Sequence, residues 1–423
     1  MKSLWNEAEV DGLLAATGAC GAERDLALRV YSSRLIGQEP ELVLHGGGNT
    51  SVKTQRADAG GRLRDVLHVK GSGWDLGTIE EPGLPAVWLA PLLQVAGETA
   101  MRDEEMVALL RREMLDPTGP TPSVEALLHA FLPGKFVDHT HSCAALAIAN
   151  QPDAAERALD IFGSELCVIP YVMPGFQLSV AANRLFAARG AEAAGLFLVN
   201  HGLFSQGPDA RSAYEAIIRY TTQCEEHLAQ HGAALVPPAA QQQDPAREGH
   251  ATLDALRTAL SEWPVFSGGL ALDLRYSAAI DQYLALPDLA GVCTRGTVTP
   301  DHVIRIKPRP VLGDEKFGLE DWQRAVRGFA DWYEAYFHRN AARATEGKTM
   351  LDPLPRVALI RGLGLVGIGK TAKEAGIAAD LAEQGARVVL SAEALGRFTP
   401  LSEGDLFDME YWSLEQAKLK PAG

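Results

Sequence analysis

The stretch from Pro122 to Ser142, P-S-V-E-A-L-L-H-A-F-L-P-G-K-F-V-D-H-T-H-S, limits the possible folds of this chain more than any other. From Glu125 it has the apolar spacing of a short amphipathic helix, and its last part, ending in His139-Thr-His141, reads as a strand. Alternate strand side chains point to one face, so both imidazoles can grip the same ion. A second apolar strand, Gly195-Leu-Phe-Leu-Val-Asn200, runs into His201-Gly202, and His201 can close the set as a third ligand. Three imidazoles and a carboxylate form a zinc donor set. The competing reading is a group of satisfied core histidines, because H-x-H pairs occur on many strand ends.

Thr121 is expected to cap the helix with Pro122 at its first position, which puts Glu125 near the amino-terminal end. There Glu125 is either a partner of the helix dipole or a base beside the metal. His129, one turn later, either joins the site or packs as a satisfied half-buried histidine. Cys143, two residues past His141, is a possible sulfur ligand, although a small buried residue accounts for it as well.

At 423 residues the chain calls for two or three cores rather than one. A net charge of -15 argues against nucleic-acid and membrane-surface roles, since phosphates and anionic lipids repel an acidic face. The five cysteines are scattered without a C-x-x-C pair, as in a reducing compartment. The first residues carry no apolar signal core, and no run reaches the about 18 apolar residues of a membrane span. A cytoplasmic protein is expected.

Helical spacing covers Asp25 to Gln38, followed by an extended segment, Glu41 to His45. The run His45-Gly-Gly-Gly-Asn-Thr-Ser-Val-Lys53 is either a glycine-rich hairpin turn or a loop whose backbone approaches a ligand. A second loop, Val69-Lys-Gly-Ser-Gly-Trp-Asp75, ends the strand Asp65 to Val69. Two such loops can wall an anion pocket with backbone N–H groups and the Lys70 ammonium, unless Lys70 is an ordinary surface charge.

The run from Gly232 to Pro245 has linker composition, so the first domain is placed at 1–235, the linker at 236–250 and a smaller C-terminal α/β domain at 251–423. In the second part Asp301 to Ile306 reads as a strand and Leu319 to Arg339 as a long helix. The helix carries Trp322, Phe329, Trp332, Tyr333 and Phe337 as a packing face, against this domain's sheet or across a subunit contact. Residues 356–423 hold Gly362-x-Gly364-x-x-Gly367 between an apolar strand and a helix, Thr371 to Gln384. A second strand is expected at Ala386 to Leu390, with Glu393 in the position of a ribose-binding acid. Too few strands follow for a working nucleotide fold, so this incomplete Rossmann-like region is read as a glycine-tight turn, and NAD is not an expected cofactor.

The motifs together resemble the class II aldolase/adducin group, most closely the aldolase half of bifunctional rhamnulose-1-phosphate aldolase/short-chain dehydrogenases. They are H-G-G-G-N-T-S-V-K (His45 to Lys53), K-G-S-G-W-D-L (Lys70 to Leu76), P-S-V-E-A-L-L-H-A (Pro122 to Ala130), V-D-H-T-H (Val137 to His141) and N-H-G-L-F (Asn200 to Phe204). T-P-D-H-V-I-R (Thr299 to Arg305) and F-D-M-E-Y-W-S-L-E-Q-A-K-L (407–419) extend the likeness over nearly the whole chain.

The resemblance implies an α/β/α domain with a central, mainly antiparallel sheet. It implies that His139, His141 and His201 bind Zn2+ or another divalent metal and that Glu125 is the acid/base. Asn49, Ser72 and Ser123 would surround the substrate phosphate, with Gly48, Lys70 and Gly71 shaping the loops. The implied reaction is cleavage of a ketose 1-phosphate, rhamnulose-1-phosphate-like, to dihydroxyacetone phosphate and a short aldehyde through a metal-stabilised enediolate. The implied assembly is a homo-oligomer, a tetramer being favoured. A pentose-phosphate 4-epimerase and a non-catalytic adducin-like binding module are the alternatives within the group. Related aldolases use a tyrosine from the adjacent subunit as an acid; none stands between Ser142 and Cys167, and Tyr171 is the nearby candidate. Residues around 362–393 correspond to the connecting region of the bifunctional relatives, so dehydrogenase activity is not expected.

Overall fold

The two loops rich in glycine flank strands, and the strands build a sheet that carries the site. The structure is a computed structural model and describes residues 1–189, 193–238, 244–344 and 347–414. Two compact units are present: among the described residues one comprises Met1–Ala149 and Asp153–His227, the other Asn150–Pro152 and residues 228–414. The end of the 407–419 motif and part of the 236–250 linker lie outside the described residues.

In the first unit the described strands are β1 (Asn49–Ala57), β2 (Leu63–Val69), β3 (Ala86–Trp88), β4 (Phe136–Thr140), β5 (Leu166–Ile169), β6 (Gly195–Leu198) and β7 (Gly202–Gly207). They form one sheet in the order β3-β2-β1-β4-β7-β6-β5. Neighbours run antiparallel except β5 and β6, which are parallel. This is the mixed α/β, mainly antiparallel arrangement expected. The helix Gly21–Gly37 lies on β1 and buries Arg29, which pairs with Asp138 at 2.6 Å and donates to the carbonyls of Ser51 and Val137. That guanidinium therefore ties β1 to β4 from the face opposite His139. The helix Cys143–Ala149 is apolar on every side and entirely buried.

Two local expectations fail in this unit. Glu41 to His45 is a pair of turns rather than an extended segment. Leu42 and Val43 are buried there, and the Leu42 and Glu41 carbonyls accept the N–H groups of His141 and Cys143, so the segment is spent on holding the site backbone. The helix after Pro122 begins only at Ala126, with Glu125 as its N-cap residue, and Thr121 uses its carbonyl to accept the Ser72 N–H.

The second unit contains β8 (Ala271–Arg275), β9 (Val311–Asp314), β10 (Val357–Arg361) and β11 (Gly364–Gly369), ordered β8-β11-β10-β9, with β9 and β10 parallel and the other pairs antiparallel. The helix Leu319–Ala341 buries Trp322, Phe329, Tyr333 and Phe337 against Ala358, Ile360, Val366 and Ile368. Its aromatic face thus packs on this unit's own sheet.

Asp301–Ile306 is helical, not a strand: a short turn at Pro300–His302 continues into Val303–Ile306. Ala386–Leu390 is likewise not a strand but part of one helix, Ala372–Leu395, in which Ala386, Val388 and Val389 are buried. A short apolar run fits a buried helix as well as a buried strand, and packing decides. The G-x-G-x-x-G glycines serve a β10–β11 hairpin. Gly362 turns at φ 82°, and a Cβ on Gly367 would stand 2.1 Å from the Ala375 carbonyl, so its absence lets the long helix lie on β11. Glu393 accepts from Arg295 at 2.6 Å and from the Phe398 N–H at 2.6 Å. Among the described residues, no helix is long and apolar enough to cross a membrane.

Candidate metal centre

Antiparallel pairing puts His139 of β4 directly opposite Asn49 of β1 on one side and Phe204 of β7 on the other. The His139 ring stacks on Phe204, centroids 4.1 Å apart at 13°. Its Nδ1 lies 3.0 Å from the Leu203 carbonyl. A carbonyl only accepts, so Nδ1 carries the proton and Nε2 presents a lone pair. His141 follows the end of β4, and His201 occupies the turn between β6 and β7, where Asn200 takes the left-handed conformation at φ 57°. A Cβ at Gly202 would stand 2.3 Å from the Thr140 carbonyl; glycine there allows the His201 turn to close on β4.

Among the described residues, His139, His141 and His201 form a buried group whose ligand atoms all lie within 4.8 Å of one another. The Nε2 atoms of His139 and His141 are 3.1 Å apart. Nitrogens that close need a shared proton or cation, and zinc–nitrogen bonds of about 2.0–2.1 Å in a tetrahedron set neighbouring nitrogens roughly 3.3 Å apart. Glu125 faces the same point. Its carboxylate lies 3.5 Å from His139 Nε2 and 3.7 Å from His201 Nε2, and it is 5% exposed. Those separations are too long for hydrogen bonds. Glu125 Oε1 makes no hydrogen bond although buried, which is costly unless a cation or a substrate proton meets it. The residues present fit a divalent cation. Cys143 is buried and does not belong to this group.

Glu125 Oε2 accepts from Asn49 Nδ2 at 2.6 Å. The Asn49 carbonyl oxygen in turn meets His129 Nε2, and His129 Nδ1 lies 2.8 Å from Ser51 Oγ. The chain has a direction: the Ser51 hydroxyl donates to His129, whose Nε2–H donates to Asn49, whose amide donates to the carboxylate. His129 is fully buried, and that burial, more than the nearby His139, Lys53 and Arg29, holds its pKa well below the ordinary histidine value. It is a neutral orienting group, and the packing alternative undersold it. Its one signal in the sequence was the four-residue spacing from Glu125.

The loop residues expected around a phosphate gather on the same side but with different duties. The Lys70 ammonium donates to the Gly46 carbonyl and to the Gly48 carbonyl at 3.0 Å, clamping the glycine loop. Gly71 and Ser72 give their N–H groups to Gly83 and Thr121, so these amides do not cradle an anion as the sequence suggested. Ser123 Oγ accepts from Asn49 Nδ2 at 3.3 Å and from the Glu125 N–H at 3.2 Å, while Ser72 is exposed. Gly48, at φ 62°, passes so near β4 that a Cβ would stand 2.6 Å from the His139 carbonyl. Tyr171 is half-buried in the connection between β5 and the helix Phe176–Arg189.

Residues 29–228 match the family described as Class II Aldolase and Adducin N-terminal domain, and residues 247–419 match Aldolase class II, second domain. The N-terminal class II aldolase domain of a conserved protein from Thermoplasma acidophilum is similar at 38% identity, covering 54% of this chain and 99% of that one, with a TM-score of 0.47. The uncharacterized oxidoreductase YuxG of Bacillus subtilis (strain 168) is similar at 32% identity over 92% of this chain. The chain spans 57% of that relative's length. An L-fuculose-1-phosphate aldolase from Thermus thermophilus is 16% identical, covering 48% of this chain and 96% of that one, with a TM-score of 0.31.

Proposed function

Since this chain belongs to the class II aldolase and adducin family, we propose that it is a zinc-dependent aldolase that cleaves a ketose 1-phosphate to dihydroxyacetone phosphate and a short aldehyde. The observation that carries the reading is a group of three buried imidazoles, two of them within 3.7 Å of a carboxylate that keeps one oxygen, Oε1, without a hydrogen bond. When bound, zinc supplies Lewis-acid polarisation of the ketose carbonyl and the neighbouring hydroxyl. His139, oriented by Leu203 and Phe204, and His141 and His201 would hold it.

Glu125 is the proton carrier. Carbon–carbon cleavage turns the hydroxyl on the departing carbon into the aldehyde, with loss of that hydroxyl's proton, and leaves an electron pair on the carbon beside the carbonyl, where Glu125 Oε1 delivers a proton. Asn49 restrains Oε2, which leaves Oε1 without a hydrogen bond for the proton transfer. Burial excludes water that would otherwise compete for that proton. Ser72 and Ser123 are assigned to the phosphate, with the clamped Gly46–Gly48 loop as its rigid wall, while Asn49, expected there too, has its amide taken by Glu125, Ser123 and His129 and serves the carboxylate instead. The proposed setting is a cytoplasmic homo-oligomer, a tetramer, in which residues 1–235 carry the chemistry.

The test has two readings. Protein purified without added metal is assayed for zinc by plasma mass spectrometry, where an equimolar content lost in His139→Ala is expected. Ketose 1-phosphates are then screened for release of dihydroxyacetone phosphate. Fragments that recombine without release would replace aldolase by 4-epimerase, and a chain that refuses zinc and cleaves nothing would sink the enzyme reading.

A further inference from the structure

The second unit contains a cavity that the aldolase chemistry does not use. Its volume is about 60 Å³. By the same measure one water occupies roughly 10–15 Å³, so the space suits about four to six non-hydrogen atoms. Val298, Val357, Leu359 and Val389 make much of the wall apolar, while Arg309 and Thr297 supply polar edges.

The loop Lys307-Pro-Arg-Pro310 borders this space. Lys307 has a positive φ of 64° with ψ 168°, a backbone conformation unusual for a long side chain. The strain is held by the buried Lys307 ammonium, which lies 3.9 Å from the centre of the Tyr333 ring and 3.5 Å from Glu410 Oε1. Prolines on both sides then leave Arg309 little freedom. Its guanidinium sits over Trp332 at 3.6 Å, and among the described residues it has no hydrogen-bond or ion-pair partner. The nearby carboxylate of Glu403 is taken by Arg339 and Asn340. Burial pushes the Arg309 pKa down to about 10, the mark of a cation short of compensation. A positive-φ residue beside a half-buried guanidinium with no hydrogen-bond or ion-pair partner among the described residues, at the edge of a cavity, points to a binding site.

We propose that this cavity binds a compact aliphatic carboxylate of about four to six non-hydrogen atoms, its carboxylate on the fork of Arg309 and its carbon chain against Val357, Leu359 and Val389. A guanidinium already stacked on an indole presents two parallel N–H groups at fixed orientation, the geometry a carboxylate accepts. A phosphate dianion fits less well, because the second cation of the loop, Lys307, is committed to Glu410 and the walls are apolar. This inference is independent of the metal centre.

The test is calorimetric titration of the zinc-loaded full chain with butyrate, and separately with inorganic phosphate. Saturable butyrate binding in about the millimolar range is expected from the size of the ligand. Arg309→Gln should weaken it by about tenfold or more, the value of a charge-assisted hydrogen bond. Gly385→Leu provides a second variant: Gly385 lines the cavity within the helix Ala372–Leu395, and a Cβ there meets no atom within 4 Å. Leucine at this position should fill the space and abolish binding while the melting temperature is kept. Absence of butyrate binding, butyrate binding indifferent to Gly385→Leu, or phosphate binding tighter than butyrate would each overturn the proposal.

Discussion

Burial of His68 should make this protein less stable in acid, an effect that a single substitution isolates. It lies on β2, paired across to Val52 of β1 and Ala86 of β3, and is only 4% exposed. Nδ1 meets the Leu84 carbonyl at 3.3 Å, and the buried Nε2 has no partner. Burial pushes its pKa down to about 4 against an ordinary 6.5, with the Leu84 contact opposing the shift. The unfolded chain therefore takes up a proton at this residue as pH falls through 6.5, and the folded chain does not until about 4. Stability contributed by the neutral ring is full above the unfolded value and is lost as pH falls through that window. Across the whole window the loss reaches about 3 kcal/mol, and between pH 7 and pH 5 it is about 2 kcal/mol. Urea unfolding of the wild type and of His68→Leu at pH 7, 6 and 5 measures it. Groups common to the two proteins cancel in the difference. The stability gap should move by about 2 kcal/mol in favour of His68→Leu as the pH is lowered. Parallel pH profiles for the two proteins would refute the argument.

Glu125→Gln retains an acceptor for Asn49 but cannot take up and deliver a proton as a carboxylate does, so turnover should fall about a hundredfold to ten-thousandfold while zinc content stays unchanged. Equal activity would remove Glu125 from the mechanism. Gly48→Ala forces a side chain into the left-handed region and a methyl against the His139 carbonyl; a cost of at least about 1–2 kcal/mol, read in urea, should come with reduced zinc content. Arg29→Met leaves Asp138 buried and unpaired at a cost of about 3–5 kcal/mol, and adding Asp138→Leu should recover most of it. A double variant no more stable than the single would show that the pair's hydrogen bonds to β1 and β4, not its charges, hold the sheet.

The donor set of the site was legible because its residues announce themselves by chemistry and period. The alternation in Val137-Asp-His-Thr-His141 faces two imidazoles one way, and a histidine closing a second apolar strand has few other purposes, so His139, His141 and His201 were read together. The aromatic stripe of Leu319–Ala341 was equally plain as a packing face. What the sequence could not rank was local competition. Ala386–Leu390 and Asp301–Ile306 carry apolar residues that suit strand and helix alike, and burial against neighbours chose helix.

The same limit applied to polar groups. Nothing in the string of letters says whether an amide or ammonium will spend its hydrogen bonds on a ligand or on the backbone. Lys70, read as a pocket cation, a surface charge or, from the resemblance, a residue shaping the loops, clamps the Gly46 and Gly48 carbonyls, while His129, read as packing or as joining the site, orients Asn49 toward Glu125. The residue types and their spacing by themselves determined which side chains could hold a cation beside a carboxylate. Tertiary structure alone decided which polar groups remain available for it, because a hydrogen bond depends on a partner brought within about 3 Å from a distant part of the chain.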